Sequence, residues 1–375
     1  MVDVKHKTNN GILRESHVIF HCLLFFLFHA NKCERVHLIK KFCSKALMNE
    51  TKIKSLSISD RYSLFFKSAS QGHFDVVKFL VKNGGVDIHH ESDKALRCAA
   101  SNGHLDIVEF LKEEGSYIDV RDNAPLKESA SNGHLNIVKY LIENDMNSRI
   151  DDDFPFRKSA SNGHLDVAKY LIEQGSDIHA NYDQAFRVSA HNGHFDVVKF
   201  LIEKGVDIHL DNNLALHKAV EYGKLDVTKH LLHHGGFGSY SSSMIGTSAS
   251  NGHFEVVKFF VENGADIHAN SEFALKSSAK NNHFSIVKYL VEKGADIHVD
   301  NDYPFQYSAH HEYFKLIKFL IENGANIDAY KGGIDEVRHR CWGGCCDPKP
   351  KIQAYIKKIH SEWIKSKSEN AEKII

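Results

Sequence analysis

The chain has 375 residues, 42% hydrophobic and 25% charged, with 47 basic against 48 acidic side chains and a formal net charge of -1. That composition excludes a disordered or collagen-like chain, and the near-neutral balance excludes a surface that wraps nucleic acid through a general excess of cations. Seven cysteines, at 22, 33, 43, 98, 341, 345 and 346, are odd in number and unevenly spread, which points to a reducing compartment and not to a disulfide framework.

At the N-terminus, Val18 to Ala30 form a mostly apolar run of thirteen residues after Lys5, Lys7 and Arg14. Charge followed by apolar residues is the order of a signal peptide, but His21 and His29 interrupt the run and no clear cleavage site follows. As a helix it reaches only about 20 Å, at roughly 1.5 Å per residue, too short to cross a membrane unaided. A helical cap within residues 1–57 is the expectation, and a signal or anchor is the alternative.

From residue 58 to 328 the chain repeats itself. Aligned on the glycine of Asn-Gly-His, anchors fall at Gly72, Gly103, Gly133, Gly163, Gly193, Gly223 and Gly252, then at Asn282 and Glu312, with steps of 29 to 31 residues. Nine units of about thirty residues are the signature of a stack of helical repeats. Before each anchor lies a helix ending in Ser-Ala, whose small side chains let neighbouring units approach. Pro125, Pro155 and Pro304 stand eight residues before their anchors, where a first-turn proline loses no hydrogen bond. After the anchor comes a second helix, as in Phe195, Val197, Val198, Phe200, Leu201 and Ile202, with Lys199 and Glu203 left for water. It ends at a glycine suited to the left-handed conformation, for example Gly84, Gly115, Gly175, Gly205 and Gly235. Asp-Ile-His follows, at 87–89, 177–179, 207–209, 266–268 and 296–298, and then polar turn residues, read as a loop or tight hairpin.

Gly235 to Gly238 and the serines after them interrupt the sixth unit and mark a seam, with no strand-turn-helix context for a nucleotide loop. Beyond the repeats, residues 329–375 read as a C-terminal cap. Ile352, Tyr355, Ile356, Ile359 and Trp363 make an apolar stripe at helical spacing just after Pro350. His339 with Cys341, Cys345 and Cys346 fits no standard zinc spacing. Two histidine files run in register, one at His73, His104, His134, His164, His194, His253 and His283, the other at His89, His179, His209, His268 and His298. Neighbours in a file stand about 8 to 10 Å apart, the spacing of packed helices, while zinc needs nitrogens at about 2 Å. Structural roles are expected for both files, and no metal or cofactor is assigned.

These residues carry a family resemblance. Ser189 to Asp207, SAHNGHFDVVKFLIEKGVD, resembles the ankyrin repeat, and the likeness recurs in phase over about 270 residues. The unit is about three residues shorter than the family's usual length, with the deficit in the hairpin. The family's Thr-Pro-Leu-His opening maps onto Phe154-Pro155-Phe156-Arg157 and Gln184-Ala185-Phe186-Arg187, and its histidine survives at His217. This thirty-residue form is similar to ankyrin proteins encoded by giant DNA viruses. The resemblance implies an all-α helix-turn-helix solenoid with short loops or stubby hairpins and helical end caps.

With no phosphate loop and no nucleophile beside a positioned base, the reading is a non-enzymatic scaffold or adaptor. It is expected to be a monomer inside the cell, cytoplasmic, and in a host cell if viral. Its partner is an unidentified protein, with no nucleic acid expected; the alternatives are a membrane association through Val18 to Ala30 and a metal-binding sensor that uses the histidines or Cys341, Cys345 and Cys346. Contact is expected on the concave turn and first-helix surface, where side chains vary from unit to unit. Six residues before the anchors stand Arg97, Lys127, Arg157, Arg187, His217 and Lys276, beside acidic turns that include Asp152 and Asp183. Phe154, Tyr182, Phe273 and Tyr303 at turn tips complete the candidate set. The competing expectation is that these charges pair with one another.

Overall fold

The computed structural model describes residues 56–235, 241–330 and 350–372, with the backbone alone at 241–242 and 369–372. The apolar run Val18 to Ala30, the cysteines at 22, 33, 43, 341, 345 and 346, His339, and the seam after Gly235 lie outside the described residues. Helices come in pairs. In a first unit, ending at Asn147, the pairs are α1 (Ile58–Gln71) with α2 (Phe74–Asn83), α3 (His90–Asn102) with α4 (Leu105–Glu113), and α5 (Val120–Ser131) with α6 (Leu135–Glu143). A second unit, from Ser148, begins with α7 (Ile150–Ser161), α8 (Leu165–Glu173), α9 (Ala180–Asn192), α10 (Phe195–Glu203), α11 (Leu210–Glu221) and α12 (Leu225–Gly235). It continues with α13 (Ser241–Ser250), α14 (Phe254–Glu262), α15 (Ala269–Lys280), α16 (Phe284–Glu292), α17 (Val299–His310) and α18 (Phe314–Glu322), and closes with α19 (Pro350–Glu372). The fold is all-helical, with no strand among the described residues, so loops and not hairpins join the pairs.

The second helices are sealed on a narrower face than their apolar content suggests. In α10, Val197, Val198 and Leu201 are buried, whereas Phe195, Phe200 and Ile202 are only half-buried and Lys199 and Glu203 face water. The reason is the neighbour. Within each unit every first helix packs on its own second helix and on the next first helix, so one stripe of each second helix is enclosed and the flanks stay open.

The first helices approach through small residues. Ser189 and Ala190 are fully buried, and the Ser189 hydroxyl donates to the carbonyls of Ala185 and, across to the neighbouring helix, Ala160. A larger side chain there would hold the helices apart. Pro125, Pro155 and Pro304 lie in the first right-handed turn of α5, α7 and α17, two residues past a left-handed stretch. The expected glycine stop is corrected at two positions. Gly84 has φ -85° and the left-handed residue is Gly85, because the first repeat is the longest, one residue more than most; Gly235 is the last residue of α12.

The terminal helix α19 covers the last pair. Ile352, Ile356 and Ile359 are buried, Tyr355 meets Phe314 edge-on at 5.0 Å, and Trp363 is half-buried.

Candidate partner-binding surface

Each loop sets up its own turn. The aspartate of Asp-Ile-His accepts the backbone N–H two residues on, at 2.9 Å for Asp177 and His179 and 2.8 Å for Asp296 and His298. Three residues then adopt the left-handed conformation, at 91–93, 121–123, 151–153, 181–183, 211–213, 270–272 and 300–302, with φ between 45° and 62°. For a residue other than glycine this costs about 1 to 2 kcal/mol each. Asn, Asp and Ser, which tolerate it best, fill most of these positions.

Side chains hold the strained turn from both ends. The histidine that precedes it donates from Nδ1 to the acid that ends it, at 3.1 Å for His89 and Asp93, 2.7 Å for His179 and Asp183, and 3.0 Å for His298 and Asp302. His268 does the same to Glu272, and His209 donates to the amide oxygen of Asn213. Asp93, Glu272 and Asp302 each accept a second bond from the backbone N–H of the next loop, at Tyr117, Asp296 and Asn326. One buried carboxylate therefore stitches two repeats together. Its bond to Glu272 raises the His268 imidazole above the usual histidine range.

The basic file closes the other side. Arg97 donates from Nε and Nη2 to the carbonyls of Ser92 and Glu91, both at 3.1 Å, and Arg157 donates likewise to Asp152 and Asp151 at 2.6 and 2.8 Å and also to Gln184. Arg187 reaches the Asn181 carbonyl, and Gln306 fills the same role at Asn301. Lys127 pairs with Asp122 of its own turn, while Lys276 pairs with Asp300 and Arg187 with Asp211 of the following turn. These cations, read from the sequence as available to a partner, are committed to the turns as well.

The candidate set divides accordingly. Asp183 and Arg157 are 7% and 9% exposed and act inside the fold, so the expectation that they face a partner is corrected: a carboxylate and a guanidinium are what the strained turn needs. Arg97, Lys127, Arg187, His217, Lys276, Phe154 and Tyr303 are half-buried along the first helices. Asp152, Tyr182 and Phe273 are exposed, Tyr182 at 81%.

The other histidine file clasps repeats from behind. The Nε2–H of His104, His134, His253 and His283 donates to the carbonyl of Ser70, Ser101, Glu221 and Ser250, 2.8 to 3.0 Å away at the C-terminus of the preceding first helix. The asparagine two residues earlier shares that acceptor, as Asn132 does at Ser101 and Asn281 at Ser250. An end-of-helix carbonyl otherwise left without a partner is thereby satisfied twice. Burial lowers the His194 imidazole, which favours its neutral form.

Further residues on the first-helix face were not singled out by the sequence reading. Lys158 lies over Phe154, Lys218 over Tyr222 and Lys280 over Tyr307, with ring-to-ammonium distances of 5.7 to 6.0 Å, and His191 packs on Tyr222 with ring centres 3.9 Å apart. They occupy fixed offsets of five, two and one before the anchors, so tabulating those columns would have found them. In the first unit the same face carries an open groove of about 800 Å³ lined by Tyr62, Phe66, His90 and Lys94. Among the described residues no group of His, Cys, Asp and Glu is placed to hold a metal, and no helix is long and apolar enough to cross a membrane.

Paired helices, glycine anchors and cross-repeat clasps set the context for comparison with known families. The family model for ankyrin repeats (3 copies) matches residues 27–122, 119–182, 160–239 and 245–331. The chain belongs to the ankyrin-repeat family. The ankyrin match begins at residue 27, inside the stretch read from the sequence as an N-terminal cap. Among solved structures, the human ASB11 ankyrin repeat domain is similar at 21% identity and a TM-score of 0.40, over 46% of this chain and 85% of that one. No curated protein matches the chain.

Proposed function

We propose that this ankyrin-repeat chain is a non-enzymatic scaffold that holds a protein partner on its turns and first-helix face. Ankyrin repeats serve protein–protein interaction in general. The observation that carries the reading for this chain is Tyr182. It is a bulky residue at φ 55° in the middle of a left-handed turn, 81% exposed, where the other described turns place Ser, Asp or Asn. A conformation that disfavours tyrosine, combined with an exposed ring, gives the isolated chain nothing, whereas an exposed aromatic ring is what an interface uses as an anchor. Phe273, 45% exposed, and Asp152 flank the same face.

The odd cysteine count supports an intracellular site of action, and the thirty-residue repeat supports kinship with the ankyrin proteins of giant DNA viruses. The chain acts as a monomer in this reading, checked by light scattering.

The test is affinity capture from cell extract with the intact chain and two variants. Tyr182→Asn lowers recovery of the captured partner while leaving the unfolding midpoint unchanged or raised. Leu201→Ala, at a fully buried position, lowers stability by about 2 to 5 kcal/mol. Capture by Tyr182→Asn at the level of the original chain would overturn the reading.

A further inference from the structure

Three consecutive turns of the second unit, at 151–153, 181–183 and 211–213, lie side by side. The helices that follow them, α7, α9 and α11, pack in a row, and Arg157 reaches Gln184 while Arg187 stands 3.8 Å from Asp211 of the next turn. Tyr182 is at the centre of that row, with its ring 81% exposed. The turns and the loops leading into them, at 148–153, 176–183 and 206–213, expose Asp151, Asp152, Asp177, Asp207 and Asp211 against one base, Arg149. A chain whose net charge is only -1 thus sets carboxylates on both sides of an exposed ring.

The fold does not ask for those charges. Asn270 and Ser271 adopt the left-handed conformation as Asp151 and Asp152 do. Asn326 accepts the backbone N–H of Asp328 at 3.0 Å, just as Asp177 and Asp207 accept those of His179 and His209 at 2.9 Å. Neutral side chains therefore suffice for both turn and loop. Nor do neighbouring cations cancel the acids: Asp211 is shared with Arg187, but Asp152, Asp177 and Asp207 form no ion pair with a lysine or arginine among the described residues. Beside Asp152, the buried Asp153 has an Oδ1 without a hydrogen-bond donor. Arg149 Nε stands 3.9 Å from it, whereas His89 and His179 bond the equivalent Asp93 and Asp183. A buried acceptor left short of a donor adds to the attraction for a cation at this turn.

Resting on the scaffold reading above, we propose that this edge takes an extended segment of a protein partner that carries a basic residue at every third position, with an arginine laid on the Tyr182 ring. The spacing follows from the stack. Packed helices stand about 8 to 10 Å apart, and three residues of an extended chain cover about 10 Å at roughly 3.3 Å each. Every third side chain therefore meets the next turn. Arginine suits the centre because its planar guanidinium stacks on an aromatic face and also pairs with carboxylates. Nucleic acid does not suit the edge, since its phosphates would face the line of aspartates.

Fluorescence anisotropy with the intact chain tests the proposal, using a labelled serine-glycine peptide with three arginines at every third position. Two further probes are a peptide of the same composition with the arginines adjacent and one with glutamate in place of arginine. The spaced peptide binds at low salt and ranks first. Asp152→Asn with Asp207→Asn leaves the unfolding midpoint unchanged and weakens binding by about fivefold or more, the scale of two exposed charge pairs. Tyr182→Asn weakens it by about threefold, the scale of an exposed cation–ring contact. Glu173→Gln with Glu203→Gln, exposed on second helices, leaves binding unchanged. Absence of binding, equal weakening in both double variants, no effect of Tyr182→Asn, or equal or tighter binding of either other probe overturns the proposal. If Tyr182→Asn abolishes capture of a cellular partner while Asp152→Asn with Asp207→Asn does not, the scaffold reading stands and the basic-segment proposal alone fails.

Discussion

Single residues show why Asn-Gly-His recurs as a unit. Gly223 has φ +69°, and an added Cβ would lie 2.4 Å from Nδ1 of His253 in the next repeat; Gly103, Gly163 and Gly252 meet His134, His194 and His283 in the same way. Glycine and histidine are thus two halves of one contact between repeats. The exceptions agree: where Tyr313 replaces the histidine, the preceding anchor is Asn282, still at φ 59°. Gly175 provides the contrast, with φ +91° and no atom within 4 Å of an added Cβ. Gly175→Ala is therefore expected to lose only the conformational cost, about 1 to 2 kcal/mol, and Gly223→Ala clearly more, since the His253 ring must also move. Urea unfolding of both variants checks this, and equal losses would remove the steric argument. The sequence displayed the pairing of the two residue types, but not that the partners belong to successive repeats.

Elements are held by a strained turn between a histidine and an acid, and at His268 this makes the loop sensitive to pH in a stated direction. His268 is raised above its ordinary value near 6.5 by Glu272, so its contribution to folding is complete below that value and fades as pH rises through the higher folded one. His194 is lowered by burial, so its contribution is present above the ordinary value and fades as pH falls through the folded one. Acid therefore favours the turn held by His268 and weakens the contact made by His194. An NMR titration is expected to place the His268 midpoint above that of a free histidine, and Glu272→Gln to bring it down; a His268 midpoint unchanged in Glu272→Gln would exclude the pairing. Asp302, 4% exposed, binds both His298 and the backbone N–H of Asn326 at 2.9 Å. Its replacement by Ala is expected to cost about 1 to 3 kcal/mol, the penalty for a buried donor left unsatisfied, with hydrogen exchange fastest at Asn326. The sequence marked these loops by their Asp-Ile-His but could not show the left-handed turn, because propensity alone argues against three such residues in succession.

At the scale of the whole chain, stability is a sum of contacts between successive repeats, because no repeat seals its apolar stripe alone. Ends are then the weak points. Helix α19 buries Ile352, Ile356 and Ile359, each contributing about 1.5 to 3 kcal/mol. Ile356→Asp is expected to lower the thermal midpoint and to speed hydrogen exchange in α18 before α10. Uniform acceleration across the second unit would contradict nearest-neighbour stacking.

Period, pairing of helices, anchor glycines and the terminal stripe were all legible in the order of residues, because a stack with a fixed repeat must place the same side chain in the same contact every thirty residues or so. What the order of residues left open was the fate of each polar group. Arg157 and Asp183 look like surface charges in a string of letters, and the fold turned them inward as clamps of a strained turn. Tyr182, in the same turn, was left outside at full reach. Which of two polar neighbours is buried depends on where the next repeat presents its backbone, and that is fixed only once the repeats have stacked.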